Sequence, residues 1–299
     1  MPDQRRSVDQ FFSLQLDGID SGVVHSIAGG GIAADVISQQ IGPDYFARKR
    51  IGAVRYEEIA VEVDLSLHSS VYTWIGQALT GHPRRVDGAI VTGDQKQSAR
   101  SSREFRGALL TEVAFPAMDA ASTESAFIGV RFAPELIRAG TAAPAPSKRA
   151  ISKGRNWNRA GFRLAIDGLD CTKVSKIDGF TVKNVVVANS GGEQREPIQL
   201  ATRLEFSNLR VSLAESSAPT WAAWSDDFLV NGKNDDGNER KGTLTFLAPD
   251  FKQVLGTVRF VNLGIFQFGP ERLAAGETAA SVSAGLYCER IEFVVPASS

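Results

Sequence analysis

The side chains that could do chemistry are few and badly spaced for it. His25, His68 and His82 stand far apart and share no metal-ligand spacing. Glu57 and Glu58 are adjacent carboxylates, but neighbours on a strand point to opposite faces, so they cannot act on one substrate as acid and base. Cys171 and Cys288 form no C-x-x-C pair, which argues against a zinc site or a disulfide framework. Cys288 lies in the alternating run Tyr287–Phe293 and reads as a buried thiol. Gly29-Gly30-Gly31 is not followed by Lys-Ser/Thr at the head of a helix, so it is no phosphate loop. No serine sits in G-x-S-x-G. The basic cluster Arg48-Lys49-Arg50 reads equally as a solvated face or as a contact. Such a chain is expected to be no enzyme and to need no cofactor and no metal.

The elements that must carry these residues repeat. Phe12-Ser13-Leu14-Gln15-Leu16-Asp17-Gly18 returns as Phe162-Arg163-Leu164-Ala165-Ile166-Asp167-Gly168. Ile27 returns as Ile177, Gly29 as Gly179, Ile59, Val61 and Val63 as Leu209, Val211 and Leu213, and Trp74 as Trp224, always 150 positions on. That period exceeds the roughly 20–50 residues of a solenoid unit and matches a whole domain. The expectation is a tandem duplication, with domain 1 over 1–138, a linker over 139–156 and domain 2 over 157–299. The stretch Ala139–Lys148 is small and Pro-rich, as a semi-extended linker would be.

Each copy reads as mainly β. Alternation predicts strands at Phe12–Leu16, Ile59–Leu67, Leu109–Phe115 and Phe127–Phe132, then at Leu204–Leu213, Gly256–Leu263 and Tyr287–Val295. One short helix follows the long strand in each copy: Val71, Trp74, Ile75 and Ala78, capped by Ser69 or Ser70 and stopped by Gly81, and later Pro219, Trp221, Trp224 and Phe228. Trp74 and Trp224 are expected to pack these helices on the sheets. Gly29–Tyr56 and its counterpart Thr181–Arg203 read as long functional loops, and Gly93–Arg100 and Asp235–Lys241 as exposed hairpin tips. Several short strands with turns suggest a sandwich or small barrel.

The 299 residues are 43% hydrophobic and 22% charged, an ordinary globular balance. A net charge of −1 argues against a dedicated nucleic-acid binder. No apolar h-region follows Met1–Arg6 and no run reaches about 18 apolar residues, so neither a secretory leader nor a membrane helix is expected. Synthesis is expected in the cytoplasm.

The order of these pieces resembles a known family. The opening strand Phe12–Gly18, the Gly-rich loop, Lys49-Arg50-Ile51-Gly52, the strand Glu58–Leu67, the helix Tyr72-Thr73-Trp74-Ile75 and the strand Phe127–Phe132 look like the tail tube proteins of contractile phages. Related tubes occur in extracellular contractile injection systems and type VI secretion. The second copy matches at its opening strand, its long strand and Trp224, and lacks the Lys-Arg-x-Gly. The resemblance implies two tail-tube-like β-barrel or sandwich domains and a structural role in a phage tail or injection-system particle. Family members look like single domains in hexameric rings, so three copies of this fused chain would close a pseudo-hexameric ring. The chain would form the tube itself or an adaptor between a sixfold tube and a threefold spike. Implied partners are further copies in a homotrimer and stacked rings, with the tail sheath, spike or hub, and baseplate. The candidate inter-ring and inter-subunit contacts are Arg48, Lys49, Arg50, Arg55 and Glu57 in the first loop, and Glu193, Arg195 and Glu196 in the second. Glu62, Asp64, Arg210 and Ser212 are candidates to face the lumen or the outside. A reading of another class is a duplicated lipocalin-like barrel around a small molecule. An enzyme on a barrel scaffold is a third.

Overall fold

The computed structural model describes residues 11–40, 42, 45–93, 99–140, 157–189, 198–271 and 281–296. Alternating apolar residues open the chain as Phe11–Leu16 (β1), which buries Leu14 and Leu16. Asp17 and Gly18 both take positive φ (49° and 78°), the backbone a two-residue hairpin needs, and turn the chain into Ile19–Val24 (β2). Ser26–Gly29 (β3), Ile32–Gln39 (β4), Arg48–Tyr56 (β5) and Ile59–Val63 (β6) follow, then the helix Ser69–Leu79 (α1). Val86–Gly93 (β7), Ala99–Phe115 (β8), Met118–Asp119 (β9), Ile128–Ala133 (β10) and Leu136–Gly140 (β11) complete the first half. The second half runs Phe162–Ile166 (β12), Val174–Ile177 (β13), Phe180–Asn189 (β14), Ile198–Phe206 (β15), Leu209–Ala214 (β16), Pro219–Ser225 (α2), Arg240–Leu247 (β17), Val254–Pro270 (β18) and Ser281–Val294 (β19). The fold is mainly β.

The strand order of the first half recurs in the second. The first sheet path is β2-β1-β7-β8-β10-β6-β3 and the second is β12-β17-β18-β19-β16-β13-β9. Leaving out β2 and β9, the strands follow one another in the same order in both paths. The registers agree too: Leu14 faces Ile90 as Leu164 faces Leu244, Gly88 faces Phe105 as Gly242 faces Phe260, and Ile27 faces Val61 as Ile177 faces Val211. Neither path closes on itself among the described residues, so both are open sheets rather than sealed barrels.

Several expectations give way. Gly29–Tyr56 and Thr181–Arg203 are not loops. They fold as the antiparallel hairpins β4–β5 and β14–β15, which pair with the same offset: Ile32 faces Tyr56 and Val182 faces Phe206. The run Leu204–Leu213 is two strands, β15 and β16, broken at Ser207-Asn208. The first helix is capped by His68, whose Nδ1 accepts from the Ser70 N–H at 3.2 Å, and not by either serine. In the second half α2 ends at Ser225, and Phe228 sits in a following π turn, Asp226–Val230. The tip near Asp235 links that turn to β17 and is not a β-hairpin. Strand β11 continues to Gly140, inside the stretch read as linker, while 141–156 lie outside the described residues.

One contiguous core serves both halves. Trp74 lies against Phe132 (5.5 Å between ring centroids), which lies against Phe105 (5.0 Å). The Trp74 indole N–H donates to the Arg84 carbonyl at 3.0 Å. Trp224 is buried as well, with the Arg240 guanidinium 4.9 Å above its ring. Gly29 shows why one position excludes a side chain. Its φ is +79° and a Cβ there would run into the Glu58 carbonyl oxygen. Phe132 is fully buried and touches two of the largest rings of the first half. Phe132→Ala is therefore expected to lower the unfolding free energy by about 3–5 kcal/mol, read from urea denaturation. A loss below about 1 kcal/mol contradicts this packing.

Candidate assembly surface

The long strand β8 organises the junction between the halves. Along one edge it pairs with β7 over Ala99–Ala108, then with β14 of the second half over Glu112–Phe115. Along the other edge it pairs with β11 over Ser102–Arg106 and then with β10 over Leu109–Ala114. A hairpin of the second half thus continues a sheet edge of the first. Phe180 faces Phe115 in this pairing, and their rings stack at 4.7 Å. Phe115 also meets Phe293 at 5.4 Å and Phe246 at 6.2 Å, both from the second half.

Polar groups fix the register. The Glu112 carboxylate lies between Arg131 of β10 (3.5 Å) and Lys183 of β14 (3.7 Å), its partners across the two edges. Asn184 is buried and its side-chain amide donates to the Leu110 carbonyl at 3.1 Å, where the backbones of β14 and β8 part. Glu135 Oε1 accepts from Arg85 Nε at 3.0 Å and from the Gln199 N–H at 2.9 Å, and Arg85 also donates to the Gln199 carbonyl. None of these residues was singled out in the sequence. A single outward Glu in an alternating strand carries no signal of the two cations that flank it.

The corresponding surfaces elsewhere are open. Strand β4 pairs only with β5 among the described residues. Strand β18 pairs with β17 as far as Leu263, and the same edge from Gly264 to Pro270 meets no described strand. Ile32, Val36, Ile37 and Ile51 on the β4–β5 hairpin and Phe266 on β18 are exposed. An open edge with exposed apolar residues is a template for pairing with another chain.

The candidate contact residues fall into three groups. Arg48, Lys49 and Arg50 are exposed on β5, opposite Gln39, Ser38 and Ile37. Arg55 and Glu57 serve the hairpin itself. Arg55 Nη2 pairs with Asp35 Oδ2 at 2.5 Å, and Glu57 Oε2 accepts the Gly31 N–H at 3.0 Å. Exposed pairs of this kind contribute little to stability. Glu193, Arg195 and Glu196 lie outside the described residues. Ser212, read as a lining residue, is buried, and its hydroxyl donates to Glu271 at 2.5 Å.

The groups with chemical potential are muted. Burial pushes the Cys288 thiol up to about 12 and raises the Cys171 thiol in the same direction. Among the described residues no group of three or more His, Cys, Asp or Glu is placed to hold a metal ion. No described helix is long and apolar enough to cross a membrane. The apolar interior of the second half, between Leu164, Ile177, Val211 and Phe260, holds a void of about 10 Å³, the size of a single water.

No protein-family model matches the chain, and no curated protein matches it. Among solved structures it is similar to a chain described with the tube-terminating cap of the anti-feeding prophage, at 20% identity over 44% of this chain and 88% of that one, with a TM-score of 0.39. It is similar to a chain of the PVC extracellular contractile injection system sheath–tube complex in its extended state, at 16% identity over 44% and 88%, TM-score 0.38. It is also similar to a chain of the anti-feeding prophage baseplate, at 13% identity over 45% and 91%, TM-score 0.37.

Two outcomes follow from this geometry. Asn184→Ala removes the donor that holds the Leu110 carbonyl and is expected to cost about 1–2 kcal/mol in urea denaturation. No change would mean that this bond does not secure the junction. Iodoacetamide at pH 8 is expected to leave Cys288 intact in the native protein and to alkylate it after unfolding, read by peptide mass spectrometry. Labelling of Cys288 within minutes in the native protein contradicts its burial.

Proposed function

We propose that this chain is a structural ring protein of the tail-tube kind, acting in a contractile phage tail or injection-system particle without catalysis. In this reading it is a tandem duplication, with modules over 1–138 and 157–299 and a linker over 139–156. One observation carries the proposal: two halves with the same strand order are joined by continuation of a sheet, a head-to-tail contact. Head-to-tail contacts repeated between copies generate a ring when the rotation closes. Three chains then supply six modules. The resemblance of Phe12–Gly18, Lys49-Arg50-Ile51-Gly52 and Tyr72–Ile75 to tail tube proteins supports that count. The open sheets and the tightly filled interior of the second half weigh against a sealed ligand-binding barrel.

The partners are further copies in stacked rings, and then sheath, spike or hub, and baseplate proteins. The exposed Arg48, Lys49 and Arg50 on β5 are the axial contacts in this reading, and Glu193, Arg195 and Glu196 those of the second module. A narrower variant, an adaptor between a sixfold tube and a threefold spike, is favoured by one observation. The first half carries β2, which has no counterpart in the second, and its β5 carries Arg48, Lys49 and Arg50 where the matching strand β15 has Ile198, Gln199 and Leu200, so a trimer would present alternating faces with true threefold symmetry.

Purified protein is expected to form rings with threefold symmetry in negative-stain images and a trimer mass in solution. A monomer at high concentration, with no rings, overturns the proposal.

A further inference from the structure

We infer that β4 of one protomer adds antiparallel to the open end of β18 in the next, with Ile32 opposite Phe268 of the partner subunit and Ala33 opposite Gln267 of the partner subunit. The inference rests on the ring reading and names the contact that closes the ring.

The template is inside the chain. β14 docks on the end of β8 with Val182 opposite Val113 and Lys183 opposite Glu112. β4 holds the place of β14, because Ile32 faces Tyr56 as Val182 faces Phe206 and Ala33 faces Arg55 as Lys183 faces Glu205. β18 holds the place of β8, because Gly242 faces Phe260 as Gly88 faces Phe105. On the far edge Ala284 faces Phe268 as Val130 faces Val113. Within the chain the docked hairpin and edge are both filled. Between chains the equivalent hairpin and the equivalent edge are both open among the described residues.

Burial separates the two cases at matched positions. Val182, docked, is 1% exposed, and its counterpart Ile32 is 61% exposed. Val113 is fully buried, whereas Phe268 is half-exposed. Backbone direction agrees. The Thr181 carbonyl accepts the Ser207 N–H at 2.9 Å, so Val182 turns its peptide groups to β8. The Gly31 carbonyl accepts the Glu57 N–H at 3.0 Å, so Ile32 turns its peptide groups outward. Chemistry at the contact differs in one respect. Lys183 and Glu112 form an ion pair, while Ala33 and Gln267 are neutral, so the contact between chains lacks that salt-sensitive pair.

Ala33 and Gln267 are the non-hydrogen-bonded pair of this register, where facing side chains come closest. The double variant Ala33→Cys, Gln267→Cys is expected to oxidise to a covalent trimer on non-reducing gels, while either single variant stays monomeric there. Ile32→Pro removes only an outward N–H, which an edge strand tolerates. It is expected to abolish rings in negative stain and leave the circular dichroism spectrum unchanged. Wild-type rings with no 33–267 cross-link, and rings that survive Ile32→Pro, overturn the pairing and leave the ring intact. Absence of rings in the wild type overturns the ring reading and the pairing with it.

Discussion

The structure depends on the continuation of β8 by β14. Four residues of backbone pairing and the stack of Phe115 on Phe180 join the two halves, beside the smaller links of β9 to β13 and of Ser125 to Asn158. Sheet pairing allows slippage in steps, and a slip of one residue would turn Phe180 and Val182 from the core to solvent. Phe115, Phe246 and Phe293 fill the space behind the pairing, so a slip would also open a hole in the shared core. Glu112 between two cations and Asn184 on the Leu110 carbonyl act as side-chain locks on the same register.

Many side-chain hydrogen bonds in the described residues serve the backbone: Glu57 on Gly31, Glu135 on Gln199, Arg103 on the Gly29 carbonyl at 2.9 Å. The two thiols are buried or half-buried. The described surface leaves unfilled backbone and apolar edge on β4 and on the end of β18. An open edge of this kind suits pairing with another strand.

Much of this could be read from the residues. Strands with one buried face, such as β1, β6 and β10, announce themselves by alternation, and their inward residues are the ones that recur at the fixed offset. The hairpin β4–β5 was hidden, because Ile32-Ala33-Ala34-Asp35-Val36-Ile37 has no buried face within one chain and so no alternation to read. The break between β15 and β16 did leave a trace, since the apolar positions change from even (Leu204, Phe206) to odd (Leu209, Val211, Leu213). The His68 cap was hidden because imidazole is not among the usual capping groups. The junction itself was illegible. It joins residues far apart in sequence, and neither Glu112 nor Asn184 differs in type from any solvated side chain.

The position of β14 in the chain has a consequence for synthesis. Phe180 follows Phe115 by 65 positions, so the N-terminal half leaves the ribosome with Phe115 uncovered and its strand end bare. At about 5–20 residues per second this lasts several seconds. The late hairpin is tethered to the half that waits for it, and this high effective concentration favours seating on its own chain over a neighbouring one. Translation speed over this stretch therefore sets how long the end of β8 stays bare.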